Sequence, residues 1–167
     1  MPHKILKLSM KKLVLMLIAV LAAGCATQQE KAAQMAEKAA VVKKSIDSHR
    51  YVVEVRTMHP MRGGSVQVTS DFTLQMKGDT LVSYLPYFGR AYNVPYTGGK
   101  GLNFTALVED YTQLRNDKKE QTQVSFVCRN DEDHYRYVLN IYDNGEVDIN
   151  LTSRNRERIS YNGVMDL

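Results

Sequence analysis

Residues 135–151 read YRYVLNIYDNGEVDINL, and the fold turns on how they are read. Tyr135, Tyr137, Leu139 and Ile141 take alternate positions, and Val147, Ile149 and Leu151 alternate again after Asn144-Gly145. A period of two marks a strand with one buried face. Asn-Gly between two such runs predicts a hairpin, because both residues accept the positive φ of a type I′ turn.

The same period extends both ways. Val124, Phe126 and Cys128 alternate upstream, and Ile159 and Tyr161 mark a last strand downstream. Near the start of the pattern, Tyr51, Val53 and Val55 alternate with Val52, Glu54 and Arg56. After PMRGG (60–64), the even positions Val66, Val68, Phe72, Leu74 and Met76 share a face. Gly78-Asp79 predicts a turn before TLVSYL (80–85), and LNFTALVEDY (102–111) reads as a further strand. Nothing between the strands resembles a crossover helix, so the sheet is expected to be antiparallel. The reading is a mainly β protein of about eight antiparallel strands, as a curled sheet, a barrel or a sandwich.

The chain before residue 50 has a different character. Lys4, Lys7, Lys11 and Lys12 precede an unbroken apolar run, Leu13 to Ala23. That run is too short for a membrane-spanning helix and fits the core of a secretory signal, with Met10 an alternative start. It ends in Leu21-Ala22-Ala23-Gly24-Cys25, which resembles a bacterial lipobox. Residues 1–24 are thus expected to be a lipoprotein signal peptide, and Cys25 the lipidated residue. Each buried acyl CH2 contributes about 0.8 kcal/mol, so several acyl chains on Cys25 would hold the protein on a membrane. Ala26-Thr27-Gln28-Gln29-Glu30 holds one acid only, which favours the periplasm-facing side of an outer membrane.

Thr27 and Glu30 have capping-box spacing, and Met35, Ala39, Val42 and Ile46 recur at helical intervals. Residues 27–48 therefore read as a helix. Three segments result: the signal (1–24), a lipidated Cys with a helix or spacer (25–49), and an antiparallel β domain (50–167).

This division changes the charge argument. Without the four signal lysines, the 22 basic residues fall to 18, matching the 18 acidic ones. Nucleic-acid binding loses its electrostatic support. With Cys25 acylated, Cys128 stands alone and no intramolecular disulfide forms.

The densest unusual stretch is SYLPYFGRAYNVPYTGGKG (83–101), which holds Tyr84, Tyr87, Phe88, Tyr92 and Tyr96. Pro86 and Pro95 restrict it, and its glycines permit turns. Buried aromatic rings remove roughly 150–250 Å² each from water, so the loop is expected to be ordered. It is read either as a packed plug or as a ligand or partner loop. In the second reading the aromatic residues stack on a ligand, and Arg90 and Lys100 hold an anion.

PMRGG (60–64), SYLPYFGRAY (83–92), GLNF (101–104), DNGEVDINLTSRNRERISYNG (143–163) and the lipobox occur in this order. Together they resemble a family of small Bacteroidota lipoproteins, domain-of-unknown-function family 4251. The resemblance implies an envelope lipoprotein with a mostly β domain. It implies no activity and carries over no catalytic residue.

Other chemistry is thin in the sequence. His49, His59 and His134 accompany no GxSxG or HExxH motif. Asp131, Glu132 and Asp133 lack the spacing of a calcium loop and read as a hairpin tip. Cys128 reads as a core residue. Arg154, Arg156 and Arg158 would point one way if that region were a strand, either as a stripe for lipid headgroups or anionic glycans or, more ordinarily, as a wet sheet face with cross-strand pairs to Glu146 or Asp148. No metal, cofactor or enzymatic activity is expected. The functional expectation is a lipid-anchored envelope module that binds a small ligand, peptide or envelope component. The alternative is a structural accessory contacting another envelope protein, with a hydrolase a distant third.

Overall fold

The structure is a computed structural model that describes residues 28–69, 71–92 and 102–167. It comprises two units. In the first, which runs to Glu37, the described residues are helical and exposed throughout. The second, Lys38–Leu167, is a barrel entered by the rest of the same helix, α1 (28–47).

Eight strands close the barrel: β1 (Arg50–Pro60), β3 (Thr73–Lys77), β4 (Thr80–Leu85), β5 (Leu102–Asn116), β6 (Gln121–Arg129), β7 (His134–Tyr142), β8 (Glu146–Ser153) and β9 (Ile159–Asp166). Each pairs antiparallel with its neighbours, and β9 returns to β1. The short β2 (Val66–Gln67) adds to β1 beyond the reach of β3. Of the three shapes open from patterning, the barrel is the one adopted. Closure leaves no long bare edge, the usual hazard of a strand-rich chain.

The seam between β1 and β9 depends on two local features. Val55 faces Gly163 and Thr57 faces Asn162, so Arg56 is an extra residue that bends β1. A Cβ on Gly163 would stand 2.3 Å from the Glu54 carbonyl oxygen, so only glycine allows this approach.

The inward side chains form one continuous core. Phe104 stacks on Tyr135 at 4.6 Å, Phe126 on Tyr137 at 5.1 Å and Tyr111 on Phe126 at 6.2 Å. Ser83, buried among these rings, donates to the Leu102 carbonyl and lies 3.2 Å from the Tyr137 hydroxyl. An eight-stranded barrel has room for side chains and little more, and these rings fill it.

Four details differ from the sequence reading. At Asn144-Gly145 only Gly145 takes positive φ (83°), and its N–H bonds the Tyr142 carbonyl. The connection is therefore a three-residue loop with glycine in the left-handed position, not a type I′ turn. Asn144 uses its side chain to accept the Glu146 N–H. Val66 does not share the buried face of Leu74 and Met76. It lies exposed in β2, which pairs with β1 and is separate from β3, where Leu74 and Met76 are buried. Within α1, Val42 and Ile46 are buried, but Met35 is 71% exposed, so the apolar stripe is used only at its C-terminal end. Arg154 and Arg156 lie beyond the end of β8 and make no common stripe with Arg158.

The strand directions set two ends. Residues 38–47 of α1, the turns at 78–79 and 143–145, and the 3-10 turn Asp117–Lys119 lie at one end, termed lower. The segments 61–65, 86–92, 130–133 and 154–158 gather at the other, the upper rim.

Candidate functional site

The upper rim holds most of the described aromatic loop. Glu157 lies at its centre and is 6% exposed. A carboxylate this far from water needs partners. It receives the Arg90 N–H at 3.2 Å, and the Arg62 guanidinium stands 3.4 Å away. Its backbone N–H donates to the Arg90 carbonyl, and the Tyr92 N–H donates to the Asn155 carbonyl. Ala91 and Arg156 form an antiparallel bridge between the two segments.

Tyr87 locks this arrangement. Its single hydroxyl proton is shared between the carbonyls of Arg90 (3.0 Å) and Glu157 (3.1 Å). The Arg156 guanidinium lies 5.5 Å from its ring centre, in cation–π range. Arg156 also bonds Glu132 at 3.1 Å. Burial, with Glu157 nearby, pushes the Tyr87 hydroxyl up from its ordinary value. From inside the barrel, the Tyr161 hydroxyl donates to the Pro86 carbonyl at 2.7 Å.

The aromatic residues of the loop thus divide. Tyr87 belongs to the frame. Phe88 and Tyr92 are 64% and 69% exposed on that frame, and Met61 is exposed beside Arg62. The Arg90 side chain is also exposed. Tyr84 sits outside this group on the barrel wall, 4.9 Å from Phe72. Tyr96, Lys100 and Cys25 lie outside the described residues.

Sequence reasoning missed Arg62, Glu157 and Tyr161. The signal was a lone Glu among three arginines at 154–158, an ordered acid waiting for a partner. The strings PMRGG, SYLPYFGRAY and RNRERISY, distant in the chain, meet at this carboxylate.

The remaining sequence candidates serve the structure. The Asp133 carboxylate accepts the backbone N–H groups of His134, Arg154 and Asn155, so the acidic turn ties two loops together. Cys128 is fully buried, and burial pushes its thiol up to about 12. Among the described residues no cluster of His, Cys, Asp and Glu could hold a metal. At the lower end, an open groove of about 480 Å³ runs beside α1. Several of its polar groups pair with one another: Arg115 bonds Asp143 through both terminal nitrogens and Asp117 through Nε, and Gln113 donates to Asp47.

A filled antiparallel barrel with a pinned aromatic rim defines the class: a small closed barrel whose exposed chemistry lies on its surface. The model of the family described as Domain of unknown function (DUF4251) matches residues 33–165, and the chain belongs to that family. A crystal structure of a DUF4251 family protein from Bacteroides eggerthii DSM 20697, at 1.95 Å resolution, is similar in fold. It shares 15% identity, with a TM-score of 0.58 over 77% of this chain and 86% of that one. No curated protein matches the chain. Among the described residues no helix is long and apolar enough to cross a membrane.

Proposed function

We propose that this is a lipid-anchored, non-enzymatic protein of the cell envelope that contacts a peptide or protein partner through its upper rim. The observation that carries the reading is the exposure of Phe88 and Tyr92 on a frame whose polar groups are already paired. Exposed rings on a rigid support lose little entropy on binding and serve as interface anchors. The arginines Arg62 and Arg90 beside them favour an acidic partner surface. A small ligand held inside the barrel is disfavoured, because the interior is packed with side chains.

The test is a thermal-shift screen of the mature chain carrying Cys25→Ser against acidic, neutral and basic peptides. A saturable rise in Tm with acidic peptides, lost in Phe88→Ala, supports the reading. No rise with any peptide, or a rise unchanged in Phe88→Ala, overturns it.

A further inference from the structure

The outer wall of β6, β7, β8, β9 and β1 carries a second, separate surface. Strand register aligns Gln123, Asn140, Asp148, Asn162 and Thr57 in one row. The next row runs Ser125, Val138, Asn150, Ser160 and His59. The two rows contain amides, hydroxyls, an imidazole and one carboxylate, in a chain where 24% of residues are charged. Solvated strand faces usually carry Lys and Glu; these two rows carry neither, and Glu54, Glu146 and Arg136 stand outside them on the same wall.

The polar groups are held in fixed directions. Asn162 donates through Nδ2 to Asp148, leaving its Oδ1 for His59 Nε2. His59 Nδ1 lies 2.8 Å from Ser65 Oγ, so both ring nitrogens are held. Tyr142 donates to the other Asp148 oxygen at 3.0 Å. Gln123 donates to Asn140 Oδ1 at 3.1 Å, so the Asn140 Nδ2 donor remains open. A concavity of about 220 Å³ lies over these groups. Asn150 and Ser160 line it half-buried, and their side chains have no protein hydrogen-bond partner among the described residues.

We propose that this face binds a neutral oligosaccharide, independently of the rim. A sugar hydroxyl both donates and accepts, so it needs amides, hydroxyls and a carboxylate in a fixed array. Asn140, Asn150 and Ser160 offer open valences, and Asp148 has acceptor capacity left. Val138, next to Asn150, gives a small apolar contact for a ring's C–H face. An acidic polymer meets Asp148 and gains no Lys or Arg in these two rows, which selects against anionic glycans. The concavity has room for about one sugar unit, and the rows extend beyond it along the strands.

The experiment is an NMR titration of the ¹⁵N-labelled mature chain carrying Cys25→Ser, with chitotetraose, maltotetraose and an oligogalacturonate. The expected result is saturable shifts with a neutral tetrasaccharide, confined to Asn140, Asn150, Ser160 and Asn162. The double variant Asn150→Ala with Ser160→Ala should weaken binding by about tenfold or more, the loss of two hydrogen bonds. Its Tm should stay at the wild-type value, since neither side chain bonds the protein. No saturable shift with either neutral sugar, equal binding by the double variant, or binding of the oligogalacturonate alone overturns the proposal.

Discussion

Truncating Tyr87 and truncating Phe88 should have opposite signatures, although the residues are adjacent. Tyr87→Phe removes a hydroxyl whose single proton is shared between two carbonyls. Arg90's carbonyl keeps the Glu157 N–H, so mainly the Glu157 carbonyl is orphaned. At about 1 kcal/mol per hydrogen bond, the expected loss is roughly 1–2 kcal/mol. Tyr87→Ala also removes the ring beneath Arg156, worth about 0.5–2 kcal/mol as a cation–π contact, and leaves a gap. Its total should reach about 2–4 kcal/mol. Phe88→Ala deletes a ring that is 64% exposed, so its stability should change by no more than about 0.5 kcal/mol. Urea denaturation of the Cys25→Ser chain, followed by circular dichroism, measures all three. Equal losses at positions 87 and 88 would refute the division into frame and contact. So would a Tyr87→Ala variant as stable as wild type.

Three further outcomes are expected. Gly163→Ala forces a Cβ against the Glu54 carbonyl at the seam, and should cost about 1–3 kcal/mol in the same denaturation assay, where an unchanged midpoint would contradict the seam geometry. Arg115 hydrogen-bonds Asp143 and holds its carboxyl below the usual carboxylate range, so the pair's stabilisation is present above about pH 4 and lost as pH falls through the lowered folded value. Arg115→Gln should therefore cost up to about 1 kcal/mol at pH 7 and progressively less in acid, and a pH-independent difference would contradict this. The buried Cys128 thiol, pushed up to about 12, should resist iodoacetamide in the native protein at pH 8 and react after unfolding, as mass spectrometry would read.

Most of the wall of this barrel was legible because each strand carries its own period. Tyr135 to Ile141 and Val147 to Leu151 declare both their face and their partner, since only a short loop separates them. The closing seam was not legible in this way. It joins Val53 to Met165, and its register rests on one extra residue, Arg56, and one glycine, Gly163. Nothing local to either residue announces the other. The rim shows the same limit. Composition singled out the stretch 83–101 but treated its rings alike. What separates Tyr87 from Phe88 is Glu157, distant in the chain. Whether Arg154, Arg156 and Arg158 share a stripe depended on where β8 ends, at Ser153, and nothing in the sequence marks that end. The polar rows on the outer wall appear only once register aligns Gln123, Asn140, Asp148 and Asn162, each unremarkable in its own strand.

The rim is proposed as the surface that meets a protein partner, separately from the outer wall. The most direct measurement places a photo-crosslinking residue in the lipidated protein in cells. Phe88 and Tyr92 are the rim positions, and Leu114 is a control, 69% exposed toward the lower end of β5. The account predicts a discrete protein adduct from positions 88 and 92, absent from 114 and lost when Arg90 is changed to Glu. Adducts of equal yield from all three positions, or none from the rim, would contradict it.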